Sequence, residues 1–387
     1  MQFLLRDSFV HIEHVAYCRE NTRPYPAVAP LFISGTAAGQ WAFYFLHILC
    51  MDDLFARLCS FENVYRAYRD ARRGKGDRSS VVAFDFHRER HLATLRAELL
   101  SGAWRHGSYS YFVTSDSKER KISVAPFRDR VVHHALCNVI EPIFERSFIF
   151  DSYACRKGKG THAAVRRLRQ FAVGASERFT RHAYVMHGDV VKYFESVDHA
   201  LLLRRVMRRI SDVRVLDVIG KIIASPGGTA GLPIGNLTSQ LFANIFLDQL
   251  DHFVKDRLGV RRYVRYMDDF FIIDRDPKSL IAARERVEAF LASLGLRLHR
   301  KMSGIQPATR IDALGYALLP RSTRLRKSTV RRAVRWMRKR AQYIHNPAAR
   351  AAAVDAALDA WRGYSSWADA YRLECTMRKT LTAMPHG

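Results

Sequence analysis

Three aspartates are the side chains of this sequence best suited to chemistry. Asp268 and Asp269 are adjacent and lie between two apolar runs, and Asp189 follows another short apolar run. Because neighbouring side chains of a strand point to opposite faces, a tight hairpin can aim one carboxylate of a pair at a site. A solvated turn alone explains an Asp-Asp pair, but a third carboxylate at a strand end predicts a site for a hard divalent cation, which prefers oxygen ligands.

The elements that must position these aspartates read as a small antiparallel sheet backed by helices. Between residues 184 and 298 the predicted order is strand, helix, glycine-rich loop, helix, strand pair, helix and strand, which fits a split βαβ arrangement. Residues 190–194 predict that the first strand continues past Asp189, and residues 296–298 predict the last strand. Upstream, residues 109–124 predict a two-stranded ribbon.

The charge of the chain restricts its partners. The 387 residues carry a formal net charge of +26 with a pI near 10.2, which exceeds what solubility requires and predicts a polyanion partner. No apolar stretch reaches the roughly 18–20 residues of a membrane helix, which favours nucleic acid over a membrane. Without a signal-peptide pattern, we expect a cytoplasmic location and no membrane contact.

Two further features concern the cysteines and the start of the chain. The cysteines form no C-x-x-C pair, so we expect neither structural zinc nor disulfides, and reduced thiols that fill apolar sites. Residues 1–50 have balanced charge and no sustained periodicity, and Met51 opens a cleaner helical pattern. We therefore expect residues 1–50 to be an extension, poorly ordered or a mis-assigned start, with Met51 as the functional start.

A one-sided basic segment follows the predicted sheet. Between residues 321 and 350 Lys and Arg recur without any acidic residue, and Val330, Val334 and Met337 fall on the face of a helix that would pack inward. A merely solvated basic face is the alternative, but nearby tryptophans and tyrosines favour contact with a nucleic-acid backbone. The residues predicted to make it are Arg331, Arg332, Arg335, Arg338 and Lys339.

Four motifs in order carry a resemblance to reverse transcriptases. They are the Tyr-Met-Asp-Asp of residues 266–269, Asp189 with Phe194 five residues on, residues 235–240, and Leu314-Gly315-Tyr316. The similarity covers about residues 61–369. It implies an α+β right-hand polymerase with fingers, a ferredoxin-like palm and a helical basic thumb. The corresponding domains are residues 51–180, 181–320 and 321–387.

One segment resembles a particular subclass. Ile234 and Gln240 depart from the usual superfamily pattern, in which Gln and Pro occupy these positions, and they resemble the reverse transcriptases of diversity-generating retroelements. Residues 153–162 and 129–137 resemble that subclass too. The implied activity is RNA-directed synthesis of adenine-mutagenised cDNA. The alternatives are a retron, defence-associated or group II intron-like reverse transcriptase, or a non-catalytic basic RNA-binding protein.

The resemblance implies two Mg²⁺ ions, with Mn²⁺ as an alternative ion. Asp189 and Asp268 would bind both ions, and the carbonyl of Val190 would complete one shell. Asp269 would bind more weakly or only cap the turn. Lys301 matches the lysine that protonates pyrophosphate as it leaves, although a surface lysine is nearly as good an explanation.

The remaining implied residues contact the nucleotide and the primer. Lys118 and Arg120 would bind the triphosphate, with a solvent-facing charge as the alternative, more so for Lys118. Phe194 would exclude a 2′-hydroxyl or simply fill the core. Gly235 would allow close backbone approach, Gln240 would start the helix that supports the template base, and aliphatic Ile234 would lower base-selection fidelity because it offers no polar check.

The last expectations concern the primer and the partners. Leu314, Gly315 and Tyr316 would form the primer grip. The implied substrates are a template RNA, a primer strand that grows into cDNA, and deoxynucleoside triphosphates. The resemblance also implies a small basic accessory protein that helps to hold the template RNA.

Overall fold

Within the described residues, six helices and the predicted two-stranded ribbon precede the main sheet. The computed structural model describes residues 54–114, 119–299, 304–341, 344 and 346–382. The predicted extension of residues 1–50 and the candidates Lys118 and Lys301 lie outside these residues. The first elements are α1 (Leu54–Cys59), α2 (Phe61–Arg72), α3 (Ser79–Phe86), α4 (Arg88–Leu100), β1 (Ser110–Thr114), β2 (Arg120–Val124) and α5 (Phe127–Glu145).

The main sheet has the strand order of a ferredoxin-like palm. Its strands pair in the order β4-β5-β3-β6, and every pair is antiparallel. Helices connect β3 to β4 and β5 to β6, so the expected α+β palm is confirmed. The elements of this part are α6 (Thr161–Ala175), β3 (Tyr184–Gly188), α7 (Tyr193–Ser196), α8 (His199–Met207), α9 (Val213–Ala224), α10 (Leu237–His252), β4 (Tyr263–Tyr266), β5 (Asp269–Asp274), α11 (Pro277–Ser293) and β6 (Ile305–Pro307).

Two strand predictions were wrong. The chain does not continue as a strand through residues 190–194, because Lys192 adopts a left-handed φ of 46° and turns the chain into α7. Residues 296–298 make only an isolated bridge, between Val190 and Leu298, while β6 takes the sheet edge beside β3. Both short apolar runs satisfy strand propensity, but pairing with distant partners decides their conformation.

The basic segment forms the predicted helical thumb. Three short strands, β7 (Ile311–Ala313), β8 (Tyr316–Leu318) and β9 (Thr323–Leu325), precede α12 (Lys327–Ala341), α13 (Pro347–Ser365) and α14 (Tyr371–Thr382). Met337 is buried together with apolar residues of α13 and α14, and Val330 and Val334 pack against that cluster. The predicted inward face of α12 is therefore confirmed, and the basic residues lie on its other side.

The fingers and the palm share one apolar core. Buried residues of α1 to α5 and of the palm sheet form a continuous cluster within a compact unit, Asp53–Gly387, so the boundary at residue 180 stays a prediction. None of the helices in the described residues has the length and apolarity to cross a bilayer. Cys59 and Cys137 are buried and free, as expected, whereas Cys155 and Cys375 are exposed and do not fill apolar sites.

Candidate active site

The acidic hairpin brings Asp189 and Asp268 to one place. Tyr266 pairs with Asp269 at the end of β4 and β5, which leaves Met267 and Asp268 as a two-residue turn. In the pairing of β3 with β5, Gly188 lies opposite Phe270, so the next residue, Asp189, emerges beside the start of β5. Strand pairing therefore places all three predicted aspartates at one end of the sheet.

The pKa of Asp268 shows that the other two aspartates lie close to it. Burial, followed by the negative charges of Asp269 and Asp189, raises the pKa of Asp268 to about 6, and the positive charge of Arg120 acts in the opposite direction. Arg120 begins β2, at the tip of the ribbon. The charge of Arg120 on the ribbon thus acts on the Asp268 carboxylate of the palm, while binding of a triphosphate by Arg120 stays a prediction.

Asp269 has a different partner. Its Oδ1 bonds Nε2 of His187 on β3 at 2.9 Å, and the His187 ring stacks on Phe271 with centroids 4.5 Å apart. Across the described part of the chain, no three His, Cys, Asp or Glu side chains form a ready metal cluster. The metal-binding role of Asp269 therefore stays a prediction, and the converging pair is Asp189 with Asp268.

The donor set at this pair fits a hard divalent cation. The carboxylates of buried Asp189 and half-buried Asp268 repel one another here, and a dication would relieve that repulsion. Beside them, the backbone N–H of Val191 donates to the Arg297 carbonyl, and the backbone N–H of His299 donates to the Asp189 carbonyl. The Val190 carbonyl takes no part in these backbone hydrogen bonds. Asp189, Asp268 and the Val190 carbonyl are thus the oxygens that would hold such an ion.

The Ile234-Gly235 segment joins the ribbon that carries Arg120. The N–H of Ser123 on β2 donates to the Ile234 carbonyl at 2.8 Å. Gly235 has a φ of +116°, and a Cβ there would lie 2.9 Å from both the Ser123 carbonyl oxygen and Cγ2 of Ile122. Only glycine fits this position. Gln240 lies half-buried in the first turn of α10.

Phe194 is bonded to the segment that leads into Ile234. It belongs to α7 instead of a strand, is half-buried, and makes an edge contact with Tyr193 at 5.6 Å. Its carbonyl accepts the N–H of Leu232 at 2.6 Å, just before Ile234. Phe194 therefore packs on the core at one edge, and its discrimination against a 2′-hydroxyl stays a prediction.

Helices of the thumb bond the turn that contains the predicted primer-grip residues, whose contact with a primer stays a prediction. Leu314 and Gly315 form a left-handed turn between β7 and β8, with φ of 51° and 89°. The Tyr364 hydroxyl on α13 donates to the Leu314 carbonyl at 2.9 Å, and the Tyr316 hydroxyl donates to the Tyr364 carbonyl at 2.7 Å. Thr329 of α12 donates to the Gly315 carbonyl at 3.2 Å.

The basic face of α12 is open to solvent. All five predicted backbone-binding residues are exposed, and four of them, all but Arg332, line a groove of about 680 Å³ together with Val330 and Val334. The five residues are Arg331, Arg332, Arg335, Arg338 and Lys339. Their exposure leaves them available to a polyanion, while contact with a nucleic acid stays a prediction.

Three residues with a clear place in the site were missed from the sequence. They are His187, whose ring bonds Asp269, Tyr364, which clamps the Leu314-Gly315 turn, and Arg265, which is fully buried behind the acidic hairpin. Only Arg265 left a signal, since a charged residue within an otherwise apolar strand needs a buried partner. His187 and Tyr364 depend on contacts between distant parts of the chain.

The comparisons agree with this geometry. The family model described as "Reverse transcriptase (RNA-dependent DNA polymerase)" matches residues 113–318. The chain belongs to the reverse transcriptase family. The matched range contains Asp189, Asp268, Asp269 and the Leu314-Gly315-Tyr316 turn, and it ends before the basic helix. Family membership confirms the expectation of a reverse transcriptase, whereas the diversity-generating subclass stays a prediction.

Two curated relatives and two solved structures are similar. Protein YkfC of Escherichia coli (strain K12) is 31% identical over 251 residues, which cover 54% of this chain and 65% of YkfC. Group II intron-encoded protein LtrA of Lactococcus lactis subsp. cremoris is 24% identical, covering 53% of this chain and 36% of LtrA. The chain thus matches less than two thirds of each relative.

The solved structures are telomerases. Apo telomerase from Candida tropicalis aligns with a TM-score of 0.48 at 9% identity, over 72% of this chain and 57% of that chain. Telomerase from Candida albicans in complex with a fragment of telomeric RNA aligns with a TM-score of 0.44 at 11% identity, over 71% of this chain and 54% of that chain.

Proposed function

We propose that this chain is an RNA-directed DNA polymerase that extends a primer on a template RNA. The observation that carries the proposal is the meeting of Asp189 and Asp268 opposite Arg120. Paired carboxylates facing a guanidinium suit a reaction in which a triphosphate must be held beside divalent cations. Membership of the reverse transcriptase family supports the same reaction.

Each residue has a role that its position allows. Asp189, Asp268 and the Val190 carbonyl would hold two Mg²⁺ ions, for which Mn²⁺ could substitute. When bound, such ions lower the pKa of the primer hydroxyl and neutralise the departing pyrophosphate. Arg120 on the ribbon would bind the triphosphate, and Lys118 would be a further phosphate ligand. Lys301 would protonate the pyrophosphate as it leaves. The exposed basic face of α12 would follow the duplex backbone.

A primer-extension assay on a primed RNA template tests this proposal. Asp268→Asn keeps the size of the side chain but removes its charge, and we expect a loss of at least about 100-fold in turnover, typical of a lost transition-state contact. Asp217→Asn, which removes only a surface pair with Lys221, is the control and should retain activity. Chelation of Mg²⁺ should abolish extension reversibly. RNA binding without any extension would leave only the non-catalytic alternative.

We further propose that the product is adenine-mutagenised cDNA of a diversity-generating retroelement. The support is Ile234, whose carbonyl joins the Arg120 ribbon and whose aliphatic side chain offers no polar check on base choice. Sequencing the cDNA made by Ile234→Gln should show fewer substitutions at template adenines. Ile281→Gln, on the exposed surface of α11, is the matched control. An unchanged error spectrum would contradict the role of Ile234 in lowering base-selection fidelity.

The context of the gene separates this proposal from the retron, defence-associated and group II intron-like alternatives. A nearby pair of imperfect repeats that differ mainly at adenines is expected for the mutagenic retroelement only. A small basic accessory protein is the expected partner, and it should co-purify with the chain and the template RNA from the cytoplasm. LtrA, a group II intron-encoded protein, is among the relatives, so an intron at the locus would favour that alternative.

A further inference from the structure

Arg265 is a fully buried cation that uses every donor it has. A guanidinium has five N–H groups, and each one is bonded here. Nε and Nη2 donate to the two carboxylate oxygens of Asp251, both at 2.7 Å. Nη2 also donates to Oγ of Ser152 at 3.0 Å, and Nη1 donates to Oδ1 of Asn244 at 3.1 Å and to the carbonyl of Met267 at 3.0 Å.

Asp251 holds the guanidinium in place. Burial alone would lower the pKa of Arg265, but the neighbouring Asp251 carboxylate raises it overall, so the buried pair stays charged. Oδ1 of Asp251 also accepts the hydroxyl of Tyr263 at 2.8 Å. With a bidentate partner on α10, the Arg265 fork cannot rotate without losing several bonds at once.

The bond to Met267 is the one that reaches the active site. Met267 is a non-glycine residue with a φ of 57°, a conformation that persists only where the surroundings impose it. Its carbonyl belongs to the peptide that leads directly into Asp268. The orientation of this peptide sets the direction in which the Asp268 side chain leaves the turn, so whatever fixes the Met267 carbonyl also aims Asp268.

The same guanidinium ties the turn to two other segments. Asn244 on α10 accepts from Arg265 and donates through Nδ2 to the Ala154 carbonyl at 2.8 Å. Alongside β4, the backbone N–H of Arg265 donates to the Asp151 carbonyl, and the backbone N–H of Tyr153 donates to the Arg265 carbonyl, both at 2.9 Å. The hairpin turn is thereby bonded to α10 and to the segment of residues 151–154.

We infer that Arg265, held by Asp251, is a positioning residue that fixes the left-handed turn at Met267 and so aims Asp268 at the divalent cations. The inference rests on the proposed function, because it assigns Arg265 a role in that reaction without contact to the substrate. It distinguishes Arg265 from a residue that only stabilises the core.

Two substitutions and two controls test the inference. Arg265→Lys keeps the charge but cannot make five bonds, and Ser152→Ala removes one of the five bonds from a protein that should fold normally. Tyr263→Phe removes a bond to Asp251 but leaves all five donors of Arg265 paired. Arg156→Lys alters another buried arginine, which is bonded to Glu145, Ile149 and Ser152 but not to the turn.

Mn²⁺ binding followed by electron paramagnetic resonance, with turnover and thermal midpoint measured beside it, gives the readout. For Arg265→Lys we expect Mn²⁺ affinity to fall about tenfold, which corresponds to about 1.4 kcal/mol of binding free energy. Turnover should fall further. Ser152→Ala should lower affinity about two- to threefold. Tyr263→Phe and Arg156→Lys should shift the thermal midpoint without changing Mn²⁺ affinity.

The outcomes separate this inference from the proposed function. If the wild type binds Mn²⁺ but extends no primer, the proposed polymerase activity is wrong while the positioning role can still be measured. If Arg265→Lys and Ser152→Ala lose stability but keep wild-type Mn²⁺ affinity and turnover, Arg265 is only structural and the inference is overturned. Should Arg265→Lys fail to fold, the affinity of Ser152→Ala decides.

Discussion

Asp269 and His187 bond across two strands of the palm, with Oδ1 and Nε2 2.9 Å apart. The imidazole lies parallel to the Phe271 ring within 4°, which fixes its orientation. The two adjacent aspartates of the hairpin consequently have different partners: Asp268 lies near Asp189, and Asp269 lies against a histidine. The sequence predicts a weaker role for Asp269 than for Asp268, but it does not indicate the histidine that bonds Asp269.

Replacing His187 should therefore affect catalysis through Asp269. In His187→Leu the carboxylate loses a charge-assisted bond of about 1.5–3 kcal/mol and its fixed orientation beside Asp268. We expect turnover in primer extension to fall about tenfold, and His187→Gln, which retains a donor, to keep most activity. In a double-mutant cycle with Asp269→Asn the losses should not add. Additive losses would show that the bond has no role.

Gly188 gives a prediction for the strand that leads into Asp189. A Cβ at Gly188 would lie 2.1 Å from Cζ of Phe270, so the ring occupies the space of a side chain. Gly188→Ala should destabilise the fold by about 3 kcal/mol, the upper end for overpacking, and should displace Asp189. Urea unfolding measures the first effect and primer extension the second.

A helical glycine is the matched control for that experiment. A Cβ at Gly220 in α9 would meet nothing within 4 Å. Gly220→Ala should therefore leave activity unchanged and stabilise the protein by about 0.4–1 kcal/mol. A Gly188→Ala protein as stable as this control would show that the Phe270 ring does not hold its observed position.

Local signals explain what the sequence predicted well. The hairpin around Asp268, the ribbon of β1 and β2, and the amphipathic face of α12 all follow from alternation or helical periodicity over a few residues. The convergence of Asp189 with the hairpin followed from the predicted strand order. The first three features need no knowledge of which distant residues meet, whereas the convergence of Asp189 depends on the split βαβ arrangement that the order of elements predicts.

Nonlocal contacts explain what the sequence missed. Residues 190–194 are as apolar as a strand, yet Lys192 turns there, and β6 displaces residues 296–298 from the sheet edge. The partner of Arg265, Asp251, lies in a preceding helix, and the partner of Asp269 lies on another strand. Propensity cannot choose between alternative partners, because their free energies depend on packing in three dimensions.

The Gly315 turn predicts a clash that a second substitution should relieve. A Cβ at Gly315 would lie 2.0 Å from the Tyr364 hydroxyl oxygen. Gly315→Ala should lower both the thermal midpoint and the processivity of extension measured with a trap for released enzyme. Adding Tyr364→Phe removes the hydroxyl and should restore part of both, although the bond to the Leu314 carbonyl is lost as well.

Gly295 isolates the clash from backbone strain. It has a similar φ of +74°, but a Cβ there would meet nothing within 4 Å. Gly295→Ala should therefore show only the cost of a left-handed residue, about 1–2 kcal/mol, with normal processivity. If Gly315→Ala behaves no worse than Gly295→Ala, or if Tyr364→Phe restores nothing, the thumb does not clamp this turn as the structure has it.

His133 predicts how stability depends on acid. It is 1% exposed in α5, its Nδ1 lies 3.4 Å from the Thr238 hydroxyl, and its Nε2 has no partner. Burial, followed by the charges of His106 and His134, lowers the pKa of His133 to about 3, whereas the unfolded value is 6.5. The unfolded state therefore binds more protons between these values, and stability should be lost as pH falls from 6.5 towards 3.

His133→Asn removes this proton-linked loss while keeping a group that can bond Thr238. Urea midpoints at pH 7, 5.5 and 4.5 should fall less steeply for the variant than for the wild type, even though the smaller side chain costs some stability at pH 7. For His252, burial opposes the charge, but Asp256 and Asp248 raise the pKa overall, so its stabilisation is present at low pH and lost as pH rises. The urea midpoint of His252→Asn should therefore fall more steeply towards low pH than that of the wild type. Equal slopes for all three proteins would mean that His133 titrates normally and is not buried as a neutral ring.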